Sequence, residues 1–400
     1  MSSHHKTDQL GPSGGATALT RGAPAGGVLP DASLTALISD GAVVPAARRS
    51  PVTATGAHAS PAALQPASMD LSLGRKAWRV RASFLPPPGR SVRERLNDGL
   101  FMHELDLSAG AVLERGCVYL VELGESLALP EGVSAVANPK SSTGRIDVFV
   151  RLVTECAAGR RAAFDEIPAG YHGPLYAEIS PRTFSILVRE GSRLNQIRFK
   201  SGAPRLDDQY LADLHSVTPL VDGAADIDGG LRLSVDLKPF SSGAPIGWRA
   251  RRHAALINVD VPGVLDPEAY FEPIPAPSDG FIILDPDEFY ILSSKESLVI
   301  PPDYAGEMTP ISPGLGEFRV HYAGFFDPGF GWSEAGGQGS RAVLEVRSHD
   351  APFVLEHGQL VARLVYERMA ARPAKLYGAD LASHYQGQGL KLSKHFKSET

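Results

Sequence analysis

CVYLVELGESLALP, residues 117–130, is matched later in the chain by FYILSSKESLVIP, residues 289–301. The identities across the pair are Tyr119 with Tyr290, Glu125 with Glu296, Ser126 with Ser297, Leu127 with Leu298, and Pro130 with Pro301. Alternating apolar residues and a closing proline are typical of a strand that buries one face. The two stretches therefore predict the same strand in two copies of one fold.

Two further echoes stand in the same order around this pair. Upstream, SMDLSLG at residues 68–74 is echoed by SVDLKPF at residues 234–240. Downstream, LYAEISPRTFSILVREGSRLNQIRF at residues 175–199 is echoed by AVLEVRSHDAPFVLEHGQLVARLVY at residues 342–366, so that Glu178 matches Glu345. Strand packing and turns explain most of the shared residues. The repeat thus indicates architecture, and chemistry has to be sought elsewhere.

The repeat divides the chain of 400 residues. We expect a disordered extension over residues 1–30, one repeat over 31–205, a second over 220–370, and a tail over 371–400. Short runs broken by the 41 glycines and 32 prolines predict a mainly β protein. Convincing helices are few, and the candidates are residues 34–38, 91–97 and 207–214, with Ser91 as a possible N-cap.

Composition excludes several classes of protein. A net charge of −6 disfavours nucleic acid as a partner, although a local basic pocket for a phosphorylated small molecule is compatible with it. No apolar run reaches membrane-spanning length, and the first residues lack the apolar core of a secretion signal, so we expect a cytoplasmic protein. The two cysteines, Cys117 and Cys156, are too far apart in sequence for a metal knuckle or redox pair.

Candidate chemistry lies in stretches that the repeat does not share. KSSTGR, residues 140–145, occurs only in the first copy. Its hydroxyls, glycine and flanking cations suit phosphate oxygens, but a solvated turn explains them equally well. FFDPGFG, residues 325–331, occurs only in the second copy, where a rigid turn presents Asp327; the first copy has PAGYHG, residues 168–173, without an aspartate.

Two further features leave the choice between function and structure open. Glu178 and Glu345 each stand on an otherwise apolar strand, where the side chain faces either solvent or a pocket that would raise its pKa. HYQGQG, residues 384–389, is either a lid over a ligand or part of a disordered tail.

Taken together, these pieces resemble the dCTP deaminase family, in its duplicated bacterial form. LQPASMDLSLG, residues 64–74, is similar to the family's N-terminal signature, KSSTGR to its Ser-Ser-x-x-Arg turn, FFDPGFG to its base-recognition hairpin, and HYQGQ to its C-terminal lid. The resemblance implies that Glu345, Glu178, Arg145 and Ser141 are the catalytic candidates. It implies nucleotide contacts from Lys140, Ser142, Ala323, Asp327, Gly329, Tyr377, His384 and Gln388.

The resemblance also implies a fold and a reaction. The fold would be two tandem copies of the dUTPase-like, distorted jelly-roll or β-barrel. The reaction would be hydrolysis of dCTP to dUTP and ammonia, with a glutamate as proton shuttle, Mg²⁺ accompanying the triphosphate, and no zinc. The serine turn occurs in the first copy and the Asp hairpin in the second, so we expect one complete site built from both copies. Glu345, next to the hairpin, is then the first choice of base. The resemblance further implies a homo-oligomer with trimer-like packing of repeats.

Rival functions make different demands on the sequence. A zinc deaminase needs His-x-Glu and Pro-Cys-x-x-Cys, and neither occurs in the chain. A dUTPase, or a bifunctional deaminase and dUTPase, would share the fold and stays open. A non-catalytic nucleotide-binding regulator is the alternative from another class, and convergence of the serine turn, arginine, aspartate and glutamate would argue against it.

Overall fold

The computed structural model describes residues 26–45, 64–311, 318–321, 324–348, 350–378 and 385–397. The described part is mainly β, with four short α-helices: α1 (Asp31–Ser39), α2 (Val92–Asn97), α3 (Ser141–Gly144) and α4 (Asp208–Val217). Two 3₁₀ turns lie at Pro267–Ala269 and Ser333–Ala335. No helix of these residues is long and apolar enough to cross a membrane.

The strands fall into two consecutive sets. Those of the first repeat are β1 (Gly26–Val28), β2 (Val43–Val44), β3 (Met69–Leu71), β4 (Leu73–Val80), β5 (Phe101–Asp106), β6 (Ala111–Leu113), β7 (Val118–Ala128), β8 (Val133–Pro139), β9 (Val148–Thr154), β10 (Glu166–Ile167), β11 (His172–Pro181), β12 (Ile186–Val188) and β13 (Asn195–Gly202). Those of the second are β14 (Leu231–Ser234), β15 (Gly247–Ala250), β16 (Ile257–Asn258), β17 (Phe271–Ile274), β18 (Phe281–Leu284), β19 (Tyr290–Leu298), β20 (Tyr304–Pro310), β21 (Phe318–His321), β22 (Phe325–Phe326), β23 (Ser340–Ser348), β24 (Phe353–Glu356) and β25 (Leu360–Arg368).

The two sets have the same sheet topology. The first repeat contains the strand orders β3-β13-β8-β10 and β5-β4-β7-β11-β9, together with the pair β6-β12. The second repeats them as β14-β25-β20-β22 and β17-β15-β19-β23-β21, with the pair β18-β24. This correspondence confirms the predicted fold class, a mainly β protein built from tandem copies.

The glutamate shared by the repeats has a structural role. Glu125 accepts hydrogen bonds from the backbone N–H and the hydroxyl of Ser72, at 2.9 and 2.7 Å, and Glu296 accepts the same two from Ser234, at 2.9 and 2.5 Å. Ser234 is therefore the counterpart of Ser72. The sequence comparison had matched Ser68, four residues earlier, with Ser234. The strand pairing agrees with the shifted match, because Leu71 lies opposite Asn195 and Leu233 lies opposite Ala362, the repeat counterpart of Asn195.

The helices confirm the local signals in the sequence. Ser91 caps α2 in a capping box with Glu94, as its hydroxyl accepts from the backbone N–H of Glu94 while the Glu94 carboxylate accepts from that of Ser91. Asp207 caps α4 by accepting from the backbone N–H of Tyr210. Helix α2 ends at the predicted residue 97, and α4 ends three residues beyond the predicted residue 214, because helix ends fray.

The folded part begins earlier than the sequence suggested. Strand β1, within the expected extension, pairs antiparallel with β13 from Gly26↔Gly202 to Val28↔Lys200. Periodicity could not reveal a three-residue strand whose stability comes from its partner. Residues 1–25 lie outside the described part. The tail was expected to be a flexible end, but Leu392 and Phe396 are buried in an apolar cluster to which both repeats contribute, with Phe396 edge-to-face on Tyr270 of the second repeat at 5.4 Å.

Buried ion pairs join the repeats in both directions. Arg198 of the first repeat is fully buried and donates to Asp327 of the second at 3.0 Å. Arg347 of the second donates through Nε to both carboxylate oxygens of Asp147 in the first, at 3.2 and 3.1 Å, and reaches the Thr183 hydroxyl at 2.8 Å. Removing one partner of such a pair leaves a buried charge without its counter-charge, which is strongly destabilising.

We therefore expect Arg347→Met to lower the free energy of unfolding by about 3–5 kcal/mol, because it leaves the Asp147 carboxylate buried in the interface. The matched control is Arg249→Met, which removes a half-exposed pair with Glu272 and should cost less than about 1 kcal/mol. Urea unfolding of the two variants measures the difference. Equal losses would show that the Arg347–Asp147 pair does not hold the repeats together.

Candidate active site

A cavity of about 570 Å³ lies between the two repeats and under the tail. The first repeat contributes the turn at residues 140–145, and the second contributes strand β23 and the hairpin after β22. The tail covers the cavity with Tyr377, Tyr385 and Gln388. Parts that are far apart in sequence therefore meet in one place within a single chain.

The serine turn forms at the end of strand β8. Lys140 ends the extended stretch, and its carbonyl accepts from the backbone N–H of Thr143 at 2.8 Å and of Gly144 at 3.0 Å, which closes the single turn α3. Ser141 and Ser142 line the cavity. The Ser142 carbonyl accepts from the Ser393 hydroxyl of the tail at 2.8 Å, so the tail fixes the turn from behind.

Arg145 is held on three sides. Its Nη1 donates to the carbonyl oxygen of Lys391 at 2.9 Å and its Nη2 to Oε1 of Gln388 at 3.1 Å, while the guanidinium lies 4.0 Å from the centre of the Tyr385 ring. Its Nε has no acceptor among the described residues, although it is buried. This N–H lies 3.8 Å from Oε1 of Glu345. A buried donor without a partner beside a carboxylate suits a water molecule or a substrate atom.

Glu345 stands in the middle of strand β23 and is 3% exposed. Burial raises the pKa of Glu345 to about 8, against the opposing effect of Arg145. Such a carboxyl exchanges a proton near neutral pH, which is what a general base and acid requires.

Glu178, the repeat counterpart of Glu345, lies outside the cavity. Its carboxylate accepts from the hydroxyl of Ser83 at 2.9 Å and from the backbone N–H of Phe84 at 3.3 Å. The loop after β4 thus supplies the hydrogen-bond donors for Glu178. Burial raises the pKa of Glu178 as well, but these hydrogen bonds oppose the rise.

The hairpin aspartate is fixed from the other repeat. Asp327 is buried, pairs with Arg198, and accepts from the Ser68 hydroxyl at 3.4 Å. The Arg198 guanidinium lies 4.1 Å from the centre of the Phe325 ring, so the arginine holds both the carboxylate and the aromatic of the hairpin. Burial raises the pKa of Asp327, with Arg198 acting in the opposite direction.

Comparison with known proteins assigns the family. The family model described as the 2'-deoxycytidine 5'-triphosphate deaminase N-terminal domain matches residues 25–203, and the model for the C-terminal domain of the same enzyme matches residues 207–396. The chain belongs to the dCTP deaminase family. The first range contains the strands of the first repeat, and the second contains the strands of the second repeat and the described end of the tail.

Individual relatives agree with this family. A crystal structure of 2'-deoxycytidine 5'-triphosphate deaminase from Agrobacterium tumefaciens is 53% identical, with a TM-score of 0.78 over 86% of this chain and 99% of that one. "dCTP deaminase, dUMP-forming" from Methanosphaera stadtmanae is 31% identical over 32% of this chain, and "dCTP deaminase" from Natronomonas pharaonis is 31% identical over 26%. The chain spans 64% and 52% of the length of these two curated relatives.

Most residues implied by the resemblance to dCTP deaminases line this one cavity. They are Lys140, Ser141, Ser142, Arg145, Asp327, Glu345, Tyr377 and Gln388. Glu178 does not line it. Ala323 and His384 lie outside the described residues.

Gly329, expected as a nucleotide contact, lies directly under the tail. Its φ is +98°, and a Cβ there would come within 2.8 Å of the Tyr377 carbonyl oxygen and of Leu376. The backbone N–H of Gly329 is already donated to the Ile300 carbonyl at 3.0 Å. A glycine is required here because the tail passes directly over the hairpin.

Sequence reasoning did not select several residues of the cavity. Asp70, whose carboxylate pairs with Lys140, stands inside the quoted stretch SMDLSLG, and Tyr385 stands inside HYQGQG. Both could have been chosen from motifs already quoted. Arg193 and Lys394 belong to no quoted motif of the site, and only the fold brings them to the cavity.

We expect Glu345→Gln to stabilise the fold at high pH. With a folded pKa of about 8 against an ordinary value near 4.5, the neutral carboxyl stabilises the protein below pH 4.5, and this contribution disappears as the pH rises through 8. The amide is neutral throughout. The variant should therefore gain an advantage on the order of a few kcal/mol in unfolding free energy between pH 5 and pH 9.

Thermal unfolding across this pH range measures the effect. Glu356→Gln is the control, because Glu356 is exposed and its replacement should leave the pH dependence unchanged. A difference between Glu345→Gln and the wild type that stays constant from pH 5 to pH 9 would contradict the raised pKa.

Proposed function

We propose that this protein is a dCTP deaminase, which hydrolyses dCTP to dUTP and ammonia. The observation that carries the proposal is the buried Glu345 carboxyl 3.8 Å from the unpartnered Nε of Arg145, in a cavity that also holds the serine turn and Asp327. The 53% identical Agrobacterium tumefaciens protein, which carries this activity in its name, supports the proposal.

In the proposed mechanism, a water molecule sits between Ser141, Arg145 and Glu345. Glu345 accepts a proton from the water as its oxygen attacks C4 of the cytosine. One of the two water protons ends on N3 and the other on the 4-amino group, so that the C4–N bond breaks with release of ammonia and a C4 carbonyl remains. Arg145 donates to the water oxygen and cannot act as the base, because its guanidinium keeps its charge.

Mg²⁺ enters this proposal only as part of the substrate. The nucleotide would bind as its Mg²⁺ complex, since Mg²⁺ commonly binds through substrate phosphates and water. Within the described residues, no three His, Cys, Asp or Glu side chains cluster so as to hold a metal ion.

A second candidate is a bifunctional enzyme that continues from dUTP to dUMP. It is favoured by relatives from Methanosphaera stadtmanae and Mycobacterium species, which are named dUMP-forming. We also propose a cytoplasmic homo-oligomer with trimer-like packing of repeats, for which light scattering in solution is the direct test.

The first test is turnover of dCTP with Mg²⁺, followed through ammonia and nucleotide products, with and without a zinc-selective chelator. We expect chelator-tolerant ammonia release with dUTP accumulating. Production of dUMP and pyrophosphate would identify the bifunctional enzyme. Pyrophosphate from dUTP without ammonia from dCTP would indicate a dUTPase, and no turnover of either would indicate a nucleotide-binding regulator.

The second test separates the two glutamates. We expect Glu345→Gln to lower kcat by a factor on the order of a hundred or more, as for a lost general base. Glu178→Gln is the matched control, because it changes the repeat counterpart outside the cavity, and its kcat should stay within a few-fold of wild type. Equal rates for the two variants would overturn the mechanism.

A further inference from the structure

Two polar side chains of the tail, Ser393 and His395, lie behind the serine turn. Each is 2% exposed, and neither belongs to the residues that line the cavity. A buried polar group costs free energy unless it is hydrogen-bonded, so the partners of these side chains show which parts of the fold they hold. The partners come from the second repeat, from the serine turn and from the tail itself.

The imidazole of His395 joins the tail to the second repeat. Its Nε2 lies 2.9 Å from the carbonyl oxygen of Val259, directly after strand β16. A carbonyl oxygen only accepts, so Nε2 carries a proton. Burial lowers the pKa of His395 to about 4, so the ring is neutral at pH 7 and its Nδ1 is an acceptor.

The hydroxyl of Ser393 connects this ring to the serine turn. Its oxygen lies 2.8 Å from Nδ1 of His395 and 2.8 Å from the carbonyl oxygen of Ser142. Both partners are acceptors, so the single hydroxyl proton is shared between them in a three-centre hydrogen bond. The backbone of the serine turn is therefore held to the second repeat through two side chains of the tail.

The same hydroxyl holds the aromatic ring that covers Arg145. Ser393 forms a side-chain hydrogen bond with the Tyr385 hydroxyl, which also accepts from the backbone N–H of Lys394 at 3.1 Å. The Arg145 guanidinium lies 4.0 Å from the centre of the Tyr385 ring. Because Arg145 also follows Ser142 by three residues in the turn, Ser393 holds this arginine from two directions.

The position of Arg145 acts on the carboxyl of Glu345, since Nε of Arg145 lies 3.8 Å from Oε1 of Glu345. Burial raises the pKa of Glu345, Arg145 opposes the rise, and Asp147 adds to it. From the tail, the Tyr385 hydroxyl is within reach of the Glu345 charge. An attraction between charges weakens with distance, so a guanidinium that moves away from Glu345 lets the pKa of this carboxyl rise further.

We propose that Ser393 and His395 are positioning residues, which hold Arg145 at the distance from the reacting carboxyl that the attacking water requires. They act through the Tyr385 ring and the serine turn. This inference rests on the proposed function, since it takes Arg145 and Glu345 as the residues that act on the water. It gives the described end of the tail a role in the reaction step that is separate from covering the cavity.

The first test compares Ser393→Ala with Ser393→Thr, which keeps a hydroxyl. For Ser393→Ala we expect kcat for dCTP to fall about tenfold, with KM within about twofold of wild type, because the lost hydrogen bonds act on the reacting step. Ser393→Thr should restore most of kcat. Lys397→Met changes an exposed lysine of the same tail and should match the wild type.

The pH dependence of kcat/KM separates positioning from a general loosening of the tail. In the wild type we expect a rise with its midpoint at about pH 8, as Glu345 loses its proton. Ser393→Ala should move this midpoint to higher pH by about half a pH unit or more, because a displaced Arg145 opposes the raised pKa less. Phe396→Leu, which weakens the apolar packing of the tail, should lower the Tm and leave the midpoint in place.

His395→Gln tests the relay one residue further from the turn. Its amide can still donate to the Val259 carbonyl, but it leaves no imidazole Nδ1 beside the Ser393 hydroxyl. We expect a shift of the midpoint in the same direction as for Ser393→Ala. An unchanged midpoint in both variants, or an equal shift in Phe396→Leu, would overturn the inference.

A readout without turnover keeps this inference separate from the proposed function. The pH dependence of thermal unfolding, compared between Ser393→Ala and the double variant with Glu345→Gln, reports the pKa of Glu345 directly. A raised pKa moves the loss of stability to higher pH than in the wild type. If the wild type releases no ammonia from dCTP, the proposed function fails, and this comparison still decides whether Ser393 positions Arg145.

Discussion

Two buried arginines, each paired with an aspartate of the other repeat, set the geometry on which the cavity depends. Arg198 of the first repeat holds Asp327 of the second, and Arg347 of the second holds Asp147 of the first. Asp327 is the hairpin residue of the cavity, and Asp147 follows Arg145 by two residues. Each pair therefore positions one half of the site directly. Buried charges allow little freedom, because any displacement that separates them exposes an unpaired ion to the interior.

The reciprocal pairs explain how a duplicated fold comes to contain one site from unlike halves. Glu178 and Glu345 occupy the same position on the same strand of each repeat. Glu178 is satisfied by Ser83 and Phe84 of its own repeat, whereas Glu345 faces an arginine from the other repeat. The difference lies in what covers each carboxyl. Glu345 can act on a ligand because the cavity beside it has room for one and because Nε of Arg145 has no acceptor among the described residues.

The tail completes the arrangement from a third direction. Gln388 accepts from Arg145 and donates to the Arg341 carbonyl at 2.9 Å, so it links the arginine of one repeat to a strand of the other. Tyr385 covers the guanidinium, and Phe396 anchors the tail in an apolar cluster to which both repeats contribute. The described part of the tail is therefore packed into the fold. Its anchoring by buried apolar residues gives the lid a fixed orientation over the cavity.

The tandem β architecture could be predicted from the sequence, since alternation and turn residues depend on near neighbours in the chain. The sequence also identified the serine turn, the Asp hairpin and both glutamates, because unshared motifs stand out against a repeat. It misjudged the register of the upstream echo and the order of residues 26–28, both of which depend on partners distant in sequence. The tertiary structure is needed to show that Glu345 rather than Glu178 lies beside Arg145, and that Lys394 and Arg193 line the same cavity. Burial and charge pairing between distant segments produce these results, and no local pattern encodes them.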